Sequence, residues 1–149
     1  MKRTDRKSDC AINFALETFG DPWSLLIVRD IVYFGKNTYG EFLGSAERIG
    51  TSVLAHRLAV LEKKGILSKS LSKIDQRKEE YHLTAKGLDL IPLLLDLTEW
   101  GAAHDPRTGA SRKWITAIRT DRNTVIKRTQ DIVRKGGSVL GDFDRIVNK

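Results

Sequence analysis

Cysteine occurs once in 149 residues, as Cys10. That excludes an intrachain disulfide framework and leads us to expect a reducing, cytoplasmic setting. Long apolar runs are missing too: the stretch from Ile91 to Leu97 is far too short to span a bilayer and contains Pro92 and Asp96, so no membrane partner is expected. The charged opening "MKRTDRKSDC" does not lead into the apolar core of a secretory leader. The three histidines, His56, His82 and His104, fall in different segments with no metal-ligand spacing among themselves or with Cys10. GxSxG, GxxxxGK[ST] and GxGxxG motifs are absent, as are internal repeats and low-complexity runs. The expectation is a protein without metal, cofactor or catalytic constellation, and so not an enzyme.

Basic residues, by contrast, are in excess. The formal charge is +7 and it is blocky. Residues 63–78 hold six Lys or Arg against one Asp, residues 106–149 hold eleven against four, and the intervening 79–105 hold one against six acids. Two basic zones flank an acidic one, a distribution that favours an oriented anionic partner over a uniformly solvated surface. The length suits one domain, able to bury roughly 68–70% of its unfolded surface.

Local patterns supply the elements. Ser8 or Asp9 can cap a helix from Cys10 to Phe19, with Ala11, Phe14, Ala15 and Thr18 on one apolar side. Asp21 and Pro22 start a second, strongly buried helix that Gly35 closes. Thr38 and Glu41 form a capping-box pair for a short third helix. In "TSVLAHRLAVLEKKGIL", Leu54, Leu58 and Leu61 recur at helical spacing and Gly65 provides the stop; Ser52, His56, Ala59 and Lys63 lie opposite those leucines. From Leu67 the period shortens to two and resumes at Tyr81 and Leu83 after the polar "KIDQRKEE", which reads as a hairpin with a charged tip. Thr84 can cap a further helix bearing Leu88, Ile91, Leu95 and Thr98 on one side, broadened by Leu94, Leu97 and Trp100, with Pro92 bending it or marking a late start. "HDPRTGAS" reads as a linker, and Ile118, Val125 and Ile132 support one last helix over about 112–134, followed by a frayed tail from Gly136.

The order helix, helix, short helix, turn, helix, hairpin, helix is that of a winged helix-turn-helix. The fold expected is mainly α with a small antiparallel β-hairpin, with further helices on its N- and C-terminal sides. Residues 1–9 would be a basic arm, 10–104 the winged domain, and 105–149 a linker, C-terminal helix and flexible tail. With its leucines fixed in a core, the fourth helix turns its other side to the major groove of double-stranded DNA. Thr51, Ser52, Ala55 and His56, near the helix start, are the expected base readers. Arg57, Lys63, Arg48, Lys69, Lys73, Arg77 and Lys78 are the cations expected to meet phosphates, and Arg77 is the side chain suited to a narrow minor groove. Asp75 argues against deep insertion of that tip.

The blocks "CAINFALETFGDPWSLLIVRDI", "TYGEFLGSAERIGTSVLAHRLAVLEKKGIL", "EEYHLTAKG" and "EWG" resemble, in order and spacing, the HxlR-type winged helix-turn-helix regulators, relatives of the MarR regulators. The resemblance runs from Cys10 to about Gly101. It implies a homodimeric transcription factor with Gly50 to Lys64 as recognition helix and Leu67 to Leu83 as wing. It also implies dimerisation through Cys10 to Phe19 and Leu88 to Ala103, joined or not by Arg112 to Arg134. A two-fold dimer would read pseudo-palindromic half-sites roughly 34–36 Å apart, or a multiple of that. The chain departs from the family in having Ala11 where Pro follows the N-terminal cysteine, and "QRK" where the wing carries a Pro-Arg pair.

Cys10 occupies the position that some members use to sense oxidants or electrophiles. Helical N–H groups and upstream Arg3, Arg6 and Lys7 would favour its thiolate, while Asp5 and Asp9 oppose them. The other reading is a small residue that packs and never reacts. For the whole chain the alternatives are a basic RNA-binding or nucleoid-associated architectural protein without an operator, and a dimerisation module whose reading helix is silent.

Overall fold

The computed structural model describes residues 6–148. Arg3 and Asp5, and with them half of the expected basic arm, lie outside the described residues. In chain order the described elements are α1 (Ala11–Phe19), α2 (Ser24–Phe34), α3 (Tyr39–Leu43), α4 (Thr51–Lys63), β1 (Leu67–Leu71), β2 (Glu79–Leu83), α5 (Ala85–Leu88), α6 (Ile91–His104), α7 (Arg112–Thr120), α8 (Arg122–Arg134) and α9 (Phe143–Val147).

Local chemistry explains most boundaries. The Asp21 carboxylate accepts the N–H groups of Trp23 and Ser24, each at 2.9 Å, which satisfies the first free donor of α2 and the one before it. The Thr38–Glu41 capping box forms in full at the start of α3. Where one helix was expected after Thr84, there are two, and Pro92 sits in the first turn of α6, where its missing N–H costs nothing. Gly65 adopts φ +75°, a left-handed conformation that ends α4 and turns the chain into β1.

The core joins Ile27, Val28, Ile31 and Val32 of α2, Phe42 of α3, the three leucines of α4, Ile66 and Leu67 at the root of β1, and Leu88, Ile91, Leu94 and Leu95. Strands β1 and β2 pair antiparallel from Leu67 opposite Leu83 to Leu71 opposite Glu79. The Tyr81 N–H donates to the carbonyl of Asn37 at 2.7 Å, which ties this hairpin to the α2–α3 connection.

The C-terminal third differs from expectation in two ways. The single helix over about 112–134 is broken at Asp121, whose backbone is non-helical and whose side chain accepts the N–H of Thr124 at 3.2 Å. An Asp with a local N–H to accept competes with helix continuation, and here it starts a new one. The expected frayed tail is a folded return. Gly136 takes φ +89°, and a Cβ on Gly137 would meet Asp142 Oδ2 at 2.5 Å, so the glycine pair permits a tight reversal. The chain then bonds back onto α2, Val139 N–H to the carbonyl of Val32 at 2.9 Å and Leu140 N–H to that of Tyr33 at 3.1 Å. Trp114, Ile118, Val125, Val133, Val139 and Ile146 are all buried in the protomer itself. The apolar seam of these helices thus packs within one protomer.

Two apolar faces stay uncovered. In α1 only Thr18 is buried, with Ile12, Phe14 and Leu16 at 70, 53 and 59% exposure, and α6 exposes Leu97 at 47% and Trp100 at 68%. No helix among the described residues is long and apolar enough to cross a membrane.

Since Ile146 is 1% exposed, Ile146→Ala is expected to cost about 2–5 kcal/mol, read as a lower urea midpoint with unchanged slope. A frayed C-terminus would leave the midpoint where it was.

Candidate nucleic-acid interface

Leu54, Leu58 and Leu61 are 0, 1 and 0% exposed, which fixes the rotation of α4 about its axis. Thr51, Ser52, Ala55, His56 and Lys63 consequently face solvent, on the side expected for base readers. Gly50, the N-cap, offers no side-chain acceptor, so the first N–H groups of α4 have no side-chain cap at the end where an anion is favoured. Tyr39 of α3 was not singled out in the sequence. Its hydroxyl donates to the Thr51 carbonyl at 3.0 Å and sets the approach of the two helices.

The turn between α3 and α4 is held by charge. The Arg29 guanidinium donates to Glu47 through two nitrogens, at 2.6 and 2.8 Å, and to the buried Asp30 at 2.7 Å. Asp30 also accepts the Ser45 hydroxyl, whose oxygen accepts Lys36 Nζ at 2.9 Å. Hydrogen bonds from Arg29 hold the Glu47 carboxyl down at about 2, against 4.5 in a free side chain. Nothing in the apolar periodicity of α2 marks these residues, although an Asp inside "SLLIVRDIVYF" was the available signal. Next in the turn, Arg48 takes φ +57° with its side chain exposed. A non-glycine residue held left-handed costs of order 1–3 kcal/mol and persists only where its surroundings demand it.

The expected phosphate contacts divide into two sets. Arg48, Lys63, Lys73 and Lys78 are exposed cations without an ion pair among the described residues. The others are engaged: Arg57 lies 3.3 Å from Asp21, Lys69 lies 3.6 Å from Glu79, and Arg77 lies 3.1 Å from Asp75. Of these three only Arg57 is partly buried, beside Asp21, where it ties α4 to the start of α2. Arg77 pairs with the acid beside it while its side chain stays 90% exposed. The Asp75 carboxyl is lowered by that contact with Arg77. Cys10 is exposed and forms the N-cap of α1, one residue before the first turn in which it was expected. Arg6 nearby pairs with Asp9 at 3.2 Å. Among the described residues no three His, Cys, Asp or Glu side chains converge as metal ligands would.

A helix pair with an exposed second helix, followed by a β-hairpin rooted in the same core, defines a winged helix-turn-helix. The sequence profile of the HxlR-like helix-turn-helix family matches residues 18–108. The chain belongs to that family, and α7 to α9 lie beyond the matched segment. Among its relatives are the helix-turn-helix-type transcriptional regulators Rv3095 of Mycobacterium tuberculosis, 33% identical over 97 residues, and YybR of Bacillus subtilis, 30% identical over 98. These alignments take in 65% and 66% of the chain, and 60% and 78% of the respective relative. The match thus spans only about three-fifths of the mycobacterial protein. Among solved structures, PA1607 is similar at 33% identity and a TM-score of 0.64, over 72% of this chain and 75% of that one. The oxidised form of the redox regulator HypR is similar at 29% and 0.58, over 64% and 98%.

Two outcomes follow for this site. Arg48→Gly relieves the left-handed backbone while removing a cation, so stability should hold or rise by up to about 1 kcal/mol while binding to any DNA weakens and its salt dependence flattens; unfolding and titration at several salt concentrations check both. Because the folded Glu47 carboxyl titrates below its unfolded value, its contribution is complete above pH 4.5 and lost as pH falls towards 2. Melting temperature followed against pH should therefore drop less steeply across that window in Glu47→Gln than in the parent.

Proposed function

We propose that the chain is a sequence-specific DNA-binding transcription regulator, without enzymatic activity. It acts in the cytoplasm as a homodimer on a pseudo-palindromic operator. The observation that carries this reading is the orientation of α4: three leucines locked in the core and Thr51, Ser52, Ala55 and His56 outward, with unpaired cations in the preceding turn (Arg48), at the helix end (Lys63) and at the hairpin tip (Lys73 and Lys78). Side chains of the first group read base edges; those of the second neutralise phosphates. Family membership and relatives described as transcriptional regulators support the same reading.

Dimerisation is proposed through α1 and α6. Their exposed Ile12, Phe14, Leu16, Leu97 and Trp100 are large apolar side chains that a second protomer would take out of water. The apolar seam of α7 and α8 is already spent on the protomer core, so it is not part of this interface.

A second reading concerns regulation. Cys10 is exposed at a helix start, and one structural relative is a redox regulator, so oxidant sensing through Cys10 is proposed as the input. In the absence of a second cysteine, oxidation would end in a disulfide across the dimer, a mixed disulfide with a small thiol, or a sulfenic acid.

Selection of bound duplexes from a random pool tests the main reading. A regulator is expected to prefer one palindromic duplex by roughly 10³ or more over random DNA at physiological salt, and an architectural protein to show no such ratio. Ser52→Ala and His56→Ala should change the preferred sequence, whereas Lys73→Ala should weaken binding across all sequences. Cys10→Ser should bind DNA as the parent does but lose its response to diamide; an unchanged response removes the sensor reading.

A further inference from the structure

The hairpin tip presents an apolar side chain where a solvated turn has no use for one. Ile74 is 98% exposed, more than any other large apolar residue among the described ones, and Leu71 is 59% exposed beside it. Turn apices ordinarily carry Gly, Asn, Asp or Ser, whose polar or minimal side chains suit water. An isoleucine there forgoes a transfer energy that only a second surface can recover.

Backbone and side-chain bonds hold this apex in place. Ser72, itself buried, accepts the N–H groups of both Ile74 and Asp75 through Oγ, each at 3.2 Å. The Ser72 N–H donates to the Lys78 carbonyl and the Lys78 N–H to that of Asp75, both at 2.9 Å. Arg77 folds back on Asp75, its Nε and Nη2 at 3.1 and 3.3 Å from the carboxylate. That pairing neutralises the acid that would repel a groove, while the Arg77 side chain itself stays 90% exposed. The tip presents Ile74 and Gln76, flanked in sequence by Lys73 and Lys78, two exposed cations without an ion pair among the described residues. The complementary surface is anionic at its edges and apolar between them. A duplex minor groove fits that description, with phosphates along its walls and, once a base step opens, the apolar faces of the bases within.

We propose that Ile74 is a wedge: Lys73 and Lys78 bridge flanking phosphates while the isoleucine enters the minor groove and partly unstacks one base step. Pyrimidine–purine steps yield most easily to such a wedge, so the wing contributes sequence preference without a hydrogen bond to any base. The inference rests on the DNA-binding reading above and assigns specificity to a residue outside α4.

The test uses the full chain and its best-bound duplex, with 2-aminopurine placed in turn at each step beneath the wing. Binding of the parent should raise fluorescence at one step per half-site. Ile74→Ala should abolish that rise and weaken binding about tenfold with an unchanged salt slope, and Ile74→Leu should keep both properties. Lys73→Ala should keep the rise and flatten the slope. Tight binding by the parent without any rise, or an Ile74→Ala protein that matches the parent in affinity and fluorescence, overturns the wedge and leaves the DNA-binding reading standing. A parent that binds no duplex overturns both.

Discussion

The burial of Leu54, Leu58 and Leu61 on one side of a thirteen-residue helix is the constraint from which the rest of the interface follows. Each fully buried leucine is worth roughly 1.5–3 kcal/mol against exposure. Rotating α4 by one residue, about 100°, would withdraw all three from the core at once. That penalty is large beside the marginal stability of any domain, so the outward side is as firmly specified as the inward one. The backbone that carries Thr51, Ser52, Ala55 and His56 is thereby set before any partner arrives.

A second set of interactions fixes where that helix begins. Tyr39 reaches the first residue of α4, while Arg29 gathers Asp30 and Glu47 around the preceding turn and Ser45 joins Asp30. Asp30 is buried and would be costly if unpaired, so loss of one partner is felt through the whole turn. At the other end, Lys64 donates to the Glu17 carbonyl at 2.6 Å, joining the end of α4 to α1. The helix that would meet DNA is thus bonded at its far end to the helix proposed to meet a second protomer. That continuity offers a physical route by which a change at α1 would reach the reading surface.

Most of the winged domain was legible in the sequence because its signals are local and agree with one another. The Thr38–Glu41 box, the leucine spacing of α4, Gly65 and the switch to a two-residue period all correspond to observed features. What escaped were long-range choices. Which cations are free depends on acids distant in sequence or folded back in a turn: Asp21 engages Arg57, Glu79 engages Lys69 and Asp75 engages Arg77. The heptad of Ile118, Val125 and Ile132 runs across two helices because Asp121 starts a new one, a contest that periodicity cannot register. The glycine pair at 136–137 reads as fraying when taken alone; only the burial of Val139 and Ile146 beyond it shows a reversal. Exposure of Leu97 and Trp100 was likewise hidden, since an apolar side looks the same whether its own core or another copy covers it.

The basic charge of the chain lies in two zones, and only one of them belongs to the surface built around α4. Residues 106–149 carry the larger excess, yet Lys113, Arg119, Arg122, Arg134 and Arg145 are paired with acids and Arg128 donates to carbonyls at the end of α9. Backbone amide spectra of the labelled protein, recorded as a bound duplex is added, separate the two zones directly. Shifts are expected to concentrate on Thr51 to His56 and the hairpin tip while α7 to α9 stay unmoved. Shifts confined to the C-terminal basic zone, with α4 silent, would contradict it.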